Sequence, residues 1–199
     1  MDVSGSMTTE KKYLVRSMLF WIVKLLRTLY DHVEVRFITH TTTAQLVPEE
    51  DFFRKGTDYG GTNCSSAYEL AGILIDTQYQ SNRWNNYVFH FSDGEDSDPK
   101  KTAEEIKKII GQGVQMVGYG EVHVDSGYDY SSANLLPELK TQFQSFGLTS
   151  YELQSGIKVT SCDKRFPFVG VIIAKREHVY PAIKEFLKKG RWQNDTARN

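Results

Sequence analysis

Cysteine is scarce in this chain: Cys64 and Cys162 are the only two among 199 residues. That excludes a disulfide framework and suits a reducing compartment. Long apolar runs are missing too. The greasiest stretch, "SMLFWIV" from Ser17 to Val23, is closed off by Arg16 and Lys24. A membrane span needs about 20 apolar residues, so this stretch reads as a buried helix and no membrane partner is expected. Neither sign of charge is in excess, with 24 basic and 25 acidic residues and a net charge of −1. No basic stripe is visible, which argues against a nucleic-acid partner held by bulk electrostatics. The start is polar and a charged segment follows, so the expectation is a cytoplasmic protein without a secretion signal. Internal repeats and low-complexity segments are absent as well.

What is present is a globular composition, 40% hydrophobic and 13% aromatic, in a chain long enough for one domain with a real core. Residues 1–190 are expected to form that domain, and 191–199 a flexible polar tail. The order of elements is informative. Glu10 to Tyr30 carries Leu14, Met18, Ile22, Leu25 and Leu29, a helix apolar on most of its circumference. "VEVRFIT" and "TAQLV" alternate as strands of a hairpin. Ser66 with Glu69 reads as a capping box for the next helix, and "NYVFHF" as a buried strand. "DPKKTAEEIKKII" is a helix with Pro99 near its start, "VQMVGYG" a strand, Leu135 to Phe146 a helix and "FVGVIIA" the last strand. Pro181 opens the closing helix, with Ile183, Phe186 and Leu187 facing inward. Val124 to Arg165 is a long connection expected to form a surface cap. Apart from the hairpin, strand and helix alternate. The expected fold is therefore α/β, a doubly wound, mostly parallel sheet with one antiparallel edge hairpin and helices on both faces.

In such sheets ligands bind at the carboxyl ends of strands. Three loops end there: Asp2 to Ser6 in "MDVSGSM", Gly60 to Thr62, and Ser92 to Glu95 in "FHFSDGEDSD". Each offers oxygen donors and a Gly that permits close backbone approach. On an extended turn every second side chain points the same way, so Asp2, Ser4 and Ser6 can face one ion. Hard oxygen ligands select Mg²⁺, or Mn²⁺ or Ca²⁺, over zinc. The plainer reading is that Ser4 and Ser6 cap the first helix, and that Asp93 is an Asp-Gly turn residue. His90 and Cys64 read as packed core residues, and Glu95, Asp96 and Asp98 as a solvated loop and helix start.

Together, "DVSGSM", "GGT" and "SDGE" resemble the three pieces of the metal-ion-dependent adhesion site of von Willebrand factor A domains. The resemblance implies Asp2, Ser4, Ser6, Thr62 and Asp93 as the metal set, with the serines binding directly. It also implies a protein partner whose acidic residue completes the metal shell. Within that group, "EEDFFRKG", "GGTNCSSAYE", "FHFSDGED", "MVGYGEV" and "VYPAIKEFL" are similar to the bacterial YeaH/YhbH family, associated with sporulation and stress responses. The implied function is a divalent-metal-dependent protein–protein interaction module and not an enzyme, since no general base or activated nucleophile is supplied. The alternative is a Mg²⁺-dependent phosphoester hydrolase. It is weakened by the lack of a phosphate-cradling Lys or Arg beside the three loops, as read from the sequence. RNA binding is disfavoured by the neutral charge balance. One departure matters. An A-domain sheet has its first, central strand directly before the Asp-x-Ser-x-Ser turn, and here only Met1 precedes Asp2. The expectation is thus the C-terminal part of a longer protein, with that strand missing and two sheet edges left unpaired.

Overall fold

The computed structural model describes residues 1–54, 60–124, 133–162 and 165–188. The expected tail from 191 lies outside them. The first helix, α1 (Thr9–Leu29), buries Leu14, Val15, Met18, Leu19, Ile22 and Val23 at helical spacing. Phe20, Trp21, Leu25 and Leu29 stay exposed. The helix is therefore buried along one side, not most of its circumference, because a single layer of sheet covers it.

The expected hairpin forms as β1 (Phe37–His40) and β2 (Ala44–Val47), but as a two-stranded sheet of its own and not as an edge of the main sheet; the short α2 (Glu49–Phe53) follows. After α3 (Cys64–Thr77) the chain alternates β3 (Tyr87–Ser92), α4 (Pro99–Gly111) and β4 (Met116–Val122). Asp98 caps α4, its side chain accepting the Lys101 N–H. Pro99 in the first turn needs no N–H there.

The helix expected over Leu135 to Phe146 forms as α5 (Leu135–Gln142) with a 3₁₀ turn at Gln144–Phe146, and the rest of the described stretch expected to be a surface cap holds a hairpin of β5 (Thr149–Glu152) and β6 (Lys158–Ser161). β6 pairs antiparallel with β7 (Phe168–Ile173), so this segment widens the main sheet. Its sequence signal is weak because both strands of an edge hairpin are largely polar; β5 is exposed throughout. The closing helix α6 (Val179–Phe186) begins two residues before Pro181.

The five-stranded sheet has the order β3-β4-β7-β6-β5. β3, β4 and β7 are parallel neighbours, and only β6 runs against the others. Two cores fill the two faces. One joins α1 and α6 to Phe91, Val169, Val171 and Ile173. The other joins α3, α4 and α5 to Val117, Tyr119 and Phe168. Val169 and Val171 face one layer and Phe168 the other, as the period of two requires.

Met1 to Val3 sits between the two sheets and ties them together. Asp2 N–H donates to the Phe91 carbonyl at 2.9 Å, and Val3 N–H to the His40 carbonyl at 2.9 Å. The Met1 ammonium donates to the Ile38 carbonyl at 2.8 Å, and burial lowers its pKa to about 6. Below Met1 lies a cavity of about 660 Å³, bounded on one side by Val33 to Ile38 and on the other by Tyr87 to His90.

Candidate functional site

Asp2 is fixed at the carboxyl ends of β1 and β3 by the backbone bonds just described. The chain then turns sharply: Ser4 N–H donates to Asp2 Oδ1 at 2.8 Å and Met7 N–H to the Ser4 carbonyl at 3.2 Å. Ser4 Oγ and Ser6 Oγ come within 3.3 Å of each other. Neither serine caps α1. Thr8 does, its hydroxyl accepting the Lys11 N–H at 3.3 Å. The capping explanation for Ser4 and Ser6 therefore falls, and the two hydroxyls remain turned toward each other.

Asp93 follows the last residue of β3. Gly94 makes its turn possible with φ +88°, and a Cβ there would meet the Glu121 carboxylate at 2.7 Å. Gly94 N–H donates to Ser92 Oγ at 3.1 Å. Gly5 differs from expectation, because a Cβ at that position meets nothing within 4 Å. The third loop is held to the other two through backbone: Gly5 N–H reaches the Gly60 carbonyl at 3.5 Å, and Ser97 N–H the Thr62 carbonyl at 3.0 Å. Thr62 is half-buried and joins the cluster through its main chain.

Asp2, Ser4 and Asp93 are buried. Burial pushes the Asp2 carboxyl up to about 6, the Ser4 hydrogen bonds oppose this, and the Asp93 charge adds to the rise. Asp2 Oδ2 and Asp93 Oδ1 are both buried without a hydrogen-bond partner among the described residues. Orphaned buried carboxylate oxygens are rare and costly. Here they sit beside paired hydroxyls, a donor set that fits a hard divalent cation.

A basic side chain does stand at this site, contrary to the sequence reading. Lys11 Nζ lies 3.0 Å from Asp93 Oδ2 and 3.1 Å from the Ser6 carbonyl. Lys12 Nζ donates to the Ser4 carbonyl at 3.1 Å. Both reach back from the first turns of α1, a placement that becomes evident only once the helix start is fixed at Thr9.

Two further expectations change. Asn63, not Ser66, precedes α3 as its N-cap, and Glu69 pairs with Lys101 at 2.6 Å instead of closing a capping box. The free N–H of Cys64 is satisfied by Asp96 Oδ1 at 3.1 Å. Asp96 is buried and also accepts Thr102 Oγ1 at 2.6 Å, so it organises the loop and is not solvated. Beneath the site His40, Cys64 and His90 meet, all buried. Nothing local in the sequence announces this cluster, since its members come from β1, α3 and β3.

The fold defines an α/β domain with a mostly parallel main sheet. Two of its loops bring together the Asp2 and Asp93 carboxylates and the Ser4 and Ser6 hydroxyls, and the Gly60–Thr62 loop is bonded alongside through its backbone. The chain belongs to the family described as "Protein of unknown function (DUF444)", whose model matches residues 1–190. It is 47% identical over 125 residues to a UPF0229 protein of Bacillus thuringiensis (strain Al Hakam), covering 62% of this chain and 32% of the relative. It is 37% identical over 191 residues to the UPF0229 protein BH1031 of Halalkalibacterium halodurans, covering 95% of this chain and 42% of the relative. The chain thus spans about a third of the length of the first of these relatives. Among the described residues, no helix is long and apolar enough to cross a membrane.

Proposed function

We propose that this domain is a divalent-metal-dependent protein–protein interaction module of the von Willebrand factor A type. Asp2, Ser4, Ser6, Thr62 and Asp93 are its metal set, and Mg²⁺, or alternatively Mn²⁺ or Ca²⁺, its ion. The observation that carries the reading is the pair of orphaned buried oxygens, Asp2 Oδ2 and Asp93 Oδ1, beside serine hydroxyls that cap no helix. An ion held by two carboxylates and neutral hydroxyls keeps room in its shell for a partner's Asp or Glu. That contact is charge-assisted and so stronger than a neutral hydrogen bond. A cytoplasmic role in a bacterial stress or sporulation pathway is the setting the family resemblance implies.

A second reading, Mg²⁺-dependent phosphoester hydrolysis, gains one observation: Lys11 at the site supplies the cation that could hold a phosphate oxygen. It still lacks an evident general base. The two separate in one experiment. Immobilised wild type and Asp2→Asn are offered the same lysate in Mg²⁺ and then eluted with EDTA, while both are assayed on a generic phosphomonoester. Partners released by EDTA from wild type alone support the interaction module. Captured proteins indifferent to EDTA contradict it, and Mg²⁺-dependent turnover lost in Asp2→Asn establishes the hydrolase instead.

A further inference from the structure

Under the Asp2 turn, His40 closes β1, His90 lies in β3 and Cys64 opens α3. His40 Nε2 and His90 Nε2 face each other at 2.8 Å. One ligand atom from each of the three residues lies within 4.8 Å of the other two. None is more than 3% exposed. His90 Nδ1 is 3.0 Å from the Tyr68 hydroxyl, whereas His40 Nδ1 has no partner among the described residues.

We infer that His40, Cys64 and His90 form a second metal site, selective for a thiophilic d¹⁰ ion, Zn²⁺ or Cu⁺. It shares no ligand with the Asp2-centred site and stands whether or not that site binds Mg²⁺. Two imidazoles and a thiolate are soft-to-borderline donors, the opposite of the oxygen set above them. Zinc binds imidazole nitrogen at about 2.0–2.1 Å and thiolate sulfur at about 2.3 Å. The ring centroids are 4.9 Å apart, so the two nitrogens meet nearly head-on; to share a tetrahedral ion they must part by about half an ångström and both rings must turn to aim their lone pairs at it. Tyr68 serves as the outer partner that metal-bound histidines almost always have, orienting the His90 ring.

Charge fits both ions. Cu⁺ with one thiolate and two neutral imidazoles is neutral, which suits complete burial. Burial, with the nearby Asp96 and Asp2 carboxylates, pushes the Cys64 thiol up, so an ion must displace the thiol proton as it binds; the same carboxylates then offset the one positive charge that Zn²⁺ leaves. The cavity below Met1 reaches His90 and Tyr68, giving an ion a way in from that side.

The test uses the full chain, reduced and stripped with chelator. Co²⁺ serves as the optical probe, and Zn²⁺ and Cu⁺ are titrated against chromogenic competitors. One equivalent of Zn²⁺ or Cu⁺ is expected, with a thiolate-to-cobalt charge-transfer band in the near ultraviolet. Cys64→Ser removes the band, Cys162→Ser and Asp93→Asn retain it, and Tyr68→Phe weakens binding by roughly 10-fold, as loss of an outer-shell partner does. Should Cys64→Ser fail to fold, X-ray absorption of the zinc-loaded wild type decides: a sulfur shell near 2.3 Å is expected. The proposal is overturned by less than one equivalent of both ions, by an all-nitrogen-and-oxygen shell, or by a band that survives in Cys64→Ser.

Discussion

Replacing Asp2 by Asn gives a prediction whose sign separates a metal ligand from a structural carboxylate. Burial raises the Asp2 pKa from 3.8 to about 6. The folded state therefore holds that proton more tightly than the unfolded chain. Stability contributed by this group is complete below about pH 3.8 and is lost as pH rises through about 6. One pKa unit corresponds to about 1.36 kcal/mol, so at pH 7.5 the ionised carboxylate costs about 3 kcal/mol. Asn keeps the Oδ1 acceptor for the Ser4 N–H but carries no charge. Without divalent ions, Asp2→Asn should raise stability by up to about 3 kcal/mol. At about 2–4 °C per kcal/mol for a chain of this size, Tm rises by roughly 6–12 °C at most. Adding Mg²⁺ at 100 times its Kd should return about 2.7 kcal/mol to wild type and nothing to the variant. Differential scanning calorimetry at pH 7.5, in EDTA and in Mg²⁺, measures both. If the variant melts lower than wild type in EDTA, or if Mg²⁺ stabilises the two alike, the reasoning is refuted.

Lys11→Met keeps the apolar stem but removes the ammonium from Asp93; isothermal titration should show Mg²⁺ binding tightened by roughly 10-fold, because like charges within several ångströms repel by kcal/mol amounts. Gly94→Ala meets Glu121 at 2.7 Å from a positive-φ position and should lose about 2–3 kcal/mol in urea unfolding, whereas Gly5→Ala, with open space around it, should unfold within about 0.5 kcal/mol of wild type. Burial lowers the His40 pKa to about 3 and drives His90 down as well, so stability should fall as pH drops below about 6.5, by about 1.4 kcal/mol per pH unit for each ring. This is best read in Asp2→Asn, where the opposing carboxylate trend is absent.

The sequence is most legible where periodicity and end signals agree. α4 is an example, with Asp98, Pro99 and an apolar stripe at Ala103, Ile106 and Ile109. β4 and β7 are equally plain, since strands covered on both faces read as continuous apolar runs, whereas β3, read as buried, is buried only over its second half. Legibility fails where long-range partners take over a local role. Ser66 and Glu69 have the spacing of a capping box, yet Asp96 from another loop satisfies the Cys64 N–H and Lys101 engages Glu69. The β5–β6 hairpin is hidden because its residues are mainly polar and it draws its order from pairing with β7. At the site the Ser4 and Ser6 hydroxyls do meet, but across a tight turn closed by the Met7 N–H on the Ser4 carbonyl and not along an extended stretch. Lys11 and the His40–Cys64–His90 cluster escaped because their meeting depends on which strands lie side by side.

The most direct measurement is anomalous diffraction from crystals of the protein grown in Mn²⁺. A single strong peak is expected at the opening turn, within bonding distance of the Ser4 and Ser6 hydroxyls and bordered by Asp2, Thr62 and Asp93. No peak there at saturating Mn²⁺, or a peak displaced onto surface carboxylates such as Glu49 or Glu50, would contradict it.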